Sequence, residues 1–188
     1  GVAGQPRGHG AGHLARGGSQ ALGPSNGGAR VPELSRRGAV HINMPLHSKN
    51  PIIMWKNTAR LRKLIERYNI NIVDARGRAP AWRSFYACRK TRAHFMTTCH
   101  APYNINGETK KFYNSSIANG EKVIAISNYV AQYLQENYKL DGSRIRLIPR
   151  GIPMDKFHPT SVTPQRMITL AQEWRIPDGS NIIILPGR

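Results

Sequence analysis

From residue 31 onward, segments typical of strands alternate with segments typical of helices, and the links between them are short. The strand segments include INIVDAR at 70–76, HFMTTCH at 94–100, KVIAIS at 122–127 and RIRLIP at 144–149. They are largely continuous apolar runs, as expected for strands that are covered on both faces. Strands that alternate with helices and join through right-handed crossovers form a parallel sheet. The sequence therefore predicts an α/β fold: a Rossmann-like parallel sheet flanked by helices.

The helical segments carry start and stop signals. In SKNPIIMWKNTARLRKLIERYN, Ser48 or Asn50 is placed to cap the helix, and Pro51 suits its first turn. Ser127 and Thr163 are placed to cap two later helices. The apolar side of the first long helix is predicted to comprise Ile52, Trp55, Leu61, Leu64, Ile65 and Tyr68. Other helices are predicted over 31–38, ending at Gly38, and over 80–92, 108–120, 128–140 and 163–174, and other strands over 40–46 and 181–187.

Residues 1–30 have a different composition, in which Gly, Arg and His dominate and large apolar side chains are rare. Such a stretch cannot bury enough surface to offset the entropy of ordering it. We expect most of it to be poorly ordered, with a short helix near AGHLAR as the one alternative. Its glycines form neither GxGxxG nor GxxxxGKS, so a Rossmann-type oxidoreductase is disfavoured.

The formal charge of +18, from 28 Lys and Arg against 10 Asp and Glu, predicts an anionic partner. Nucleic acid, acidic lipid and phosphorylated small molecules all satisfy this condition. A non-catalytic basic nucleic-acid-binding module therefore stays open as an alternative function, although no RNP-like or helix-turn-helix pattern is present. No apolar run approaches the roughly 20 residues of a membrane span, and no signal peptide is visible.

The two cysteines, Cys88 and Cys99, form no CxxC pair and lie on different predicted elements. This usage fits a reducing compartment, and we expect a cytoplasmic protein. A zinc site built from Cys88, His94, Cys99 and His100 would match no standard spacing. We predict no metal site and no cofactor.

Polar side chains follow the predicted strands at the points where they end. Arg76 and Arg78 follow the first of the four strands, His100, Tyr103 and Asn104 the second, Ser127 the third, and Arg150 and Gly151 the fourth. Ligands of open parallel sheets bind beyond the carboxyl ends of the strands. These residues are therefore predicted to form one wall of a substrate cleft, although polar loops and a capping Ser127 would produce the same pattern without any ligand.

The stretch GEKVIAISNYVAQYLQENYKLDGSRIRLIPRGIPMDKFHP resembles family 4 glycosyltransferases of the GT-B fold. DARGRAPAW, TTCHAPYN and the terminal IIILPGR resemble members in the same order, so the likeness covers about residues 25–188. The GT-B fold pairs two Rossmann-like domains, the first mainly for the acceptor and the second for the nucleotide-sugar donor. The resemblance implies a degenerate segment at 1–24, an acceptor-side domain at 25–150, a linker and helix at 151–180, and the first strand of a donor domain at 181–188.

The resemblance also implies roles for individual residues. His100 matches the family histidine beside the transferred sugar, and Ser127 matches the serine of the family's aiSe segment. Arg150 and Gly151 match the turn between the domains, and Arg188 matches an arginine that contacts the donor diphosphate. Arg76, Arg78, Tyr103 and Asn104 are then expected to bind substrate.

What the resemblance implies for the reaction is a retaining hexosyl transfer, without a metal, from a nucleotide diphosphate sugar. The acceptor would be a saccharide or a lipid-linked molecule in the synthesis of envelope polysaccharide or lipopolysaccharide. The basic surface would allow peripheral contact with an anionic membrane at its inner face. We expect no specific nucleic-acid partner in this case, and we expect this chain, as a fragment without the donor domain, to have no turnover alone.

One prediction concerns Arg188. Replacing it with Ala in the intact enzyme should weaken donor binding, because arginine is a permanently charged, two-pronged donor to phosphate oxygens. Titration of the nucleotide sugar by calorimetry should show a dissociation constant about tenfold higher. A donor affinity equal to that of the unaltered enzyme would contradict this role.

Overall fold

The structure is a computed structural model that describes residues 20–28, 31–46, 48, 50–151 and 158–185. The chain divides into two compact units, residues 1–149 and residues 150–188. The expected disorder of residues 1–19 and the alternative helix near AGHLAR lie outside the described residues. None of the helices within the described part of the chain is long and apolar enough to cross a membrane.

The first unit is built from strands and helices that alternate along the chain. The strands are β1 (Leu22–Ser25), β2 (Val40–Asn43), β3 (Ile72–Ala75), β4 (His94–Cys99), β5 (Lys122–Ala125) and β6 (Ile145–Leu147). The helices are α1 (Val31–Arg36), α2 (Pro51–Arg67), α3 (Arg78–Cys88), α4 (Glu108–Asn114) and α5 (Asn128–Tyr138). Short 3-10 turns occupy Ser115–Ala118 and Gly142–Arg144. This α/β architecture confirms the predicted fold class.

All described strand pairs are parallel. The main sheet has the order β3-β4-β5-β6, with Ala75 opposite Thr97, Cys99 opposite Ala125, and Ala125 opposite Leu147. A second, two-stranded sheet pairs β1 with β2. Because the main sheet is parallel throughout, the carboxyl ends of its four strands share one edge.

The core lies where the helices cover the central strands. In β4, Phe95, Thr97, Thr98 and Cys99 are buried although neighbouring side chains point to opposite faces, so both faces of this strand are covered. Val123 and Ala125 of β5 are also fully buried. The helices contribute Leu61 and Ile65 from α2, Ala81 and Ala87 from α3, and Val130 and Leu134 from α5. These contacts hold the central strands between the helices.

Several predicted helix signals are confirmed. The Asn50 side chain accepts hydrogen bonds from the amides of Ile52 and Ile53, so Asn50 rather than Ser48 caps α2. The Ser127 hydroxyl accepts from the amide of Val130 and caps α5. Gly38 follows α1 with φ +81°, a left-handed conformation that favours glycine after a helix end.

Other predictions need correction. Leu22–Ser25 forms β1 within a stretch predicted to be poorly ordered, because each residue pairs with one of Val40–Asn43. Ile52 and Trp55, predicted on the apolar side of α2, are 65% and 73% exposed, because the buried side there runs through Asn57, Leu61 and Ile65. The helix predicted over 108–120 ends at Asn114 and continues as a 3-10 turn, so Gly120 does not close it.

The second unit contains a 3-10 turn at Pro159–Ser161 and helix α6 (Pro164–Glu173), capped as predicted by the Thr163 side chain. The strand predicted over 181–187 is not formed in its described part. Residues 181–185 have no strand neighbour among the described residues, and Ile183 and Leu185 are 98% and 93% exposed. A strand without a partner leaves its backbone groups to water.

A prediction follows for Gly120, which is buried against β4. A Cβ at this position would lie 2.7 Å from the Lys122 carbonyl oxygen and 2.9 Å from the Thr97 amide nitrogen, and neither backbone atom can move freely. Gly120→Ala should therefore lower the free energy of unfolding by about 1–3 kcal/mol in urea denaturation. The matched control is Gly77→Ala, whose Cβ would meet only Pro80 at 3.7 Å. Equal stability of the two variants would contradict the close approach at Gly120.

Candidate functional site

The carboxyl edge of the main sheet gathers three of the predicted site residues. Arg76 directly follows β3, His100 directly follows β4, and Ser127 lies two residues after β5. Neighbouring strands are about 4.8 Å apart, so these residues occupy adjacent strand ends. The register places Cys99 opposite Ala125, so the chain leaves the sheet at His100 beside the segment that leads to Ser127. His100 is half-buried.

At the end of β3, an acidic side chain orients Arg76. Asp74 lies within β3, and its Oδ2 atom is 2.6 Å from Nε of Arg76. Its Oδ1 atom accepts a hydrogen bond of 2.9 Å from the Thr98 hydroxyl on β4. The Arg76 side chain is 31% exposed. Asp74 therefore fixes the position of the Arg76 cation at the edge of the sheet. Thr98 of the neighbouring strand β4 in turn holds Asp74.

Arg78 performs a different task from Arg76. Its guanidinium lies 4.5 Å from the centre of the Tyr103 ring and 5.6 Å from that of Tyr113. It also donates a hydrogen bond of 2.9 Å to Oδ1 of Asn114. Stacking on aromatic rings and a directed hydrogen bond both exploit the planar guanidinium. Arg78 therefore joins α3 to the loop that follows His100.

Asn114 joins Arg78 to the loop after His100, and this role was not predicted from the sequence. It is fully buried, accepts from Arg78, and donates through Nδ2 to the Asn104 carbonyl oxygen at 3.0 Å. Next to it, the Ser116 hydroxyl donates to the Arg78 carbonyl oxygen at 3.1 Å. Nothing in the sequence indicates that Asn114 joins Arg78 to Asn104, because Asn114 is predicted inside a longer helix and lies 36 residues from Arg78 in sequence.

The loop is held from its other side by two tyrosines that were also missed. The Tyr133 hydroxyl donates to the Tyr103 carbonyl oxygen at 2.7 Å and accepts from the Tyr103 amide at 3.2 Å. It also lies 3.2 Å from the Tyr138 hydroxyl. Burial, with a smaller effect of Tyr133, raises the pKa of Tyr138 well above its ordinary value, so this phenol stays neutral. Residues 103 and 104 thus have a fixed backbone on which a ligand could be oriented.

The two cysteines are buried thiols. Cys88 is 6% exposed and Cys99 is fully buried. Burial raises the pKa of each thiol to about 11, so both are protonated at neutral pH. Within the described ranges, no three side chains of His, Cys, Asp or Glu converge closely enough to hold a metal ion.

His94 lies at the opposite end of β4 from His100. Its Nδ1 atom is 2.8 Å from Oε2 of Glu121, and the hydrogen bond from His94 is the largest cause of the lowered pKa of Glu121. Both side chains are more than half exposed, so this pair contributes little to stability. His94 thus belongs to the amino edge of the sheet.

The other three predicted site residues do not belong to the first unit. Arg150 and Gly151 begin the second unit, and Arg188 lies outside the described residues. The edge itself brings together Arg76, His100 and Ser127 at strand ends, with Arg78, Tyr103 and Asn104 joined around Asn114.

The geometry generates a prediction for Asn114. Asn114→Ala removes the hydrogen bonds from Arg78 and to the Asn104 carbonyl oxygen, so both of these polar groups lose their partner. We therefore expect the free energy of unfolding to fall by about 2–3 kcal/mol. Hydrogen exchange in residues 101–106 should quicken at the same time. Asn106→Ala, at an exposed position on the same loop, is the matched control and should change neither quantity. Unaltered exchange in Asn114→Ala would contradict the role of Asn114 in holding the loop.

Comparison with known proteins identifies the family. Residues 9–156 match Glycosyltransferase Family 4. A solved structure, the crystal structure of a glycosyltransferase from Rickettsia africae ESF-5, is 40% identical and superposes with a TM-score of 0.80. The match covers 95% of this chain and 47% of that chain, so the chain spans about half the length of this relative. The search of curated proteins found no match. The chain belongs to glycosyltransferase family 4.

Proposed function

We propose that the intact protein transfers a sugar from a nucleotide diphosphate sugar to a saccharide or lipid-linked acceptor, and that the first unit forms the acceptor side of the site. The observation that carries this proposal is the shared strand edge on which Arg76, His100 and Ser127 lie. Membership of glycosyltransferase family 4 supports the reaction class. The crystal structure from Rickettsia africae is described as a glycosyltransferase, which supports the same class.

The proposed chemistry assigns His100 to the transferred sugar. In such a transfer, negative charge accumulates on the departing diphosphate, so fixed hydrogen-bond donors and cations at that place lower the barrier. Arg188 is proposed to bind the diphosphate, and Arg150 and Gly151 to line the substrate site. Arg76 and Ser127 are proposed to bind the acceptor directly. We propose a retaining hexosyl transfer that requires no metal and no other cofactor.

Within the same proposal, Arg78, Tyr103 and Asn104 contribute to acceptor binding in two ways. Arg78 holds the loop through Asn114 and the Tyr103 ring. The Asn104 side chain is exposed, and its Oδ1 accepts from the Asn106 amide at 3.1 Å. The ordered loop backbone and the exposed amide then offer hydrogen bonds to hydroxyl groups of a saccharide.

Helix α2 supports the proposal that the protein acts at an anionic membrane. Lys56, Arg60, Lys63 and Arg67 are exposed at a spacing of three or four residues, so they share one face of the helix. Ile52 and Trp55 are exposed at the amino end of the same helix. Cations with exposed apolar side chains suit the surface of an anionic bilayer. We propose peripheral contact at its cytoplasmic side, with a role in envelope polysaccharide synthesis.

This interpretation also accounts for the charge of +18 that motivated the nucleic-acid alternative. Anionic lipid and the diphosphate of a donor attract the same cations. The family match favours the enzyme, and no contact or motif in the described residues favours a nucleic-acid-binding module.

The test uses two histidines at opposite ends of one strand: His94 begins β4 and His100 directly follows it. His100→Ala in the intact protein should lower kcat about a hundredfold in a coupled nucleotide-release assay, because a group beside the reacting sugar is lost. His94→Ala is the matched control at the other end of β4 and should retain kcat within about twofold. Both variants should keep the wild-type circular dichroism spectrum and melting temperature within a few degrees. Full activity of His100→Ala would contradict the assignment.

A further inference from the structure

A groove of about 610 Å³ lies between α2 and α3. None of its lining residues belongs to the strand ends described above. Its volume falls within the range of small-molecule sites in proteins, roughly 300–1,000 Å³. The groove therefore has the size of a binding site, and the proposed sugar transfer does not use it.

Aromatic side chains form one part of the groove. Trp82 is fixed there, because its Nε1 donates to the Tyr113 carbonyl oxygen at 2.9 Å and its ring stacks with Tyr86 at 5.9 Å. Trp55 of α2 and Tyr86 of α3 are 73% and 49% exposed. Exposed aromatic side chains around a fixed indole offer apolar contact area at a low entropic cost.

The charged side chains that line the groove are all cationic. Arg62, Arg83 and Lys90 line it, and no carboxylate is among the described residues that do so. Arg83 is 1% exposed, and its two terminal nitrogens donate to the carbonyl oxygens of Leu46 and Ser48. Burial lowers the pKa of Arg83, which reflects the cost of holding this charge away from water.

Two buried donors of these cationic side chains have no acceptor. The Nε atoms of Arg62 and Arg83 are both buried and form no hydrogen bond. A buried donor without a partner costs free energy, and a buried cation is ordinarily paired with an anion. An anionic group in the groove would satisfy both requirements.

We propose that the groove between α2 and α3 binds one molecule of an amphiphilic anion, a phosphate or carboxylate group joined to an apolar chain. The anionic group pairs with Arg62 and Arg83, and the chain lies along Trp55, Trp82 and Tyr86. The charge of the groove and its aromatic wall select for both parts of such a ligand together.

The test is calorimetric titration of decyl phosphate into the full 188-residue chain, below the micelle concentration of the ligand. Inorganic phosphate, which is the anionic group alone, and pentaethylene glycol monodecyl ether, which carries the chain on an uncharged head that is not a sugar, should bind at least about tenfold more weakly. Arg62→Gln should weaken decyl phosphate binding about tenfold, since a charge-assisted hydrogen bond is lost. Trp55→Ala, at an exposed position, should weaken it several-fold. Arg83 is left unaltered because it also holds the Leu46 and Ser48 carbonyls.

Matched controls lie on other helices. Lys110→Gln removes an exposed cation of α4, and Tyr129→Ala removes a 70% exposed aromatic side chain of α5, so neither should alter binding. The proposal is overturned if the Arg62 and Trp55 variants bind like their controls, or if inorganic phosphate binds as tightly as decyl phosphate. Binding to vesicles of anionic phospholipid without any binding of monomeric decyl phosphate would also overturn it, in favour of docking on a lipid surface.

Discussion

The parallel pairing of β3, β4, β5 and β6 is the constraint from which the rest of the first unit follows. The pairing satisfies the backbone groups of strands that are covered on both faces, which would otherwise be buried without partners. It also leaves each strand to end at the same edge, where Arg76 and His100 emerge on neighbours. A shift of one residue in the register would turn Phe95 and Cys99 to the wrong faces, so the core and the site depend on the same alignment.

A second level of order comes from buried polar groups. Asn114 bonds to Arg78 and Asn104, and the buried Thr97 hydroxyl donates to the Ile117 carbonyl oxygen at 2.5 Å. Apolar packing tolerates small displacements, whereas these bonds require defined positions of both partners. They hold the 3-10 turn and the loop after β4 in one arrangement. The proposed cleft wall is therefore a rigid part of the scaffold, although much of it is irregular in backbone structure.

The sequence predicted what depends on local patterns. Asn50, Ser127 and Thr163 cap helices because side-chain oxygens reach amides two or three residues away, and such spacing is visible in sequence. The edge position of His100 followed from strand order. In contrast, β1 and Asn114 depend on partners distant in sequence, and the exposure of Trp55 depends on how α2 packs. The segment LGPS contains residues of low strand propensity, so its composition does not predict a strand. It forms β1 because it pairs with β2.

The order of strands in the main sheet has a consequence for biosynthesis. Each strand from β4 to β6 pairs with the strand that precedes it along the chain. The sheet can therefore grow in the direction of translation, one βαβ crossover at a time, as each strand leaves the ribosome. No described strand of this sheet is inserted later between two strands that already pair, so each pairing closes over a single crossover.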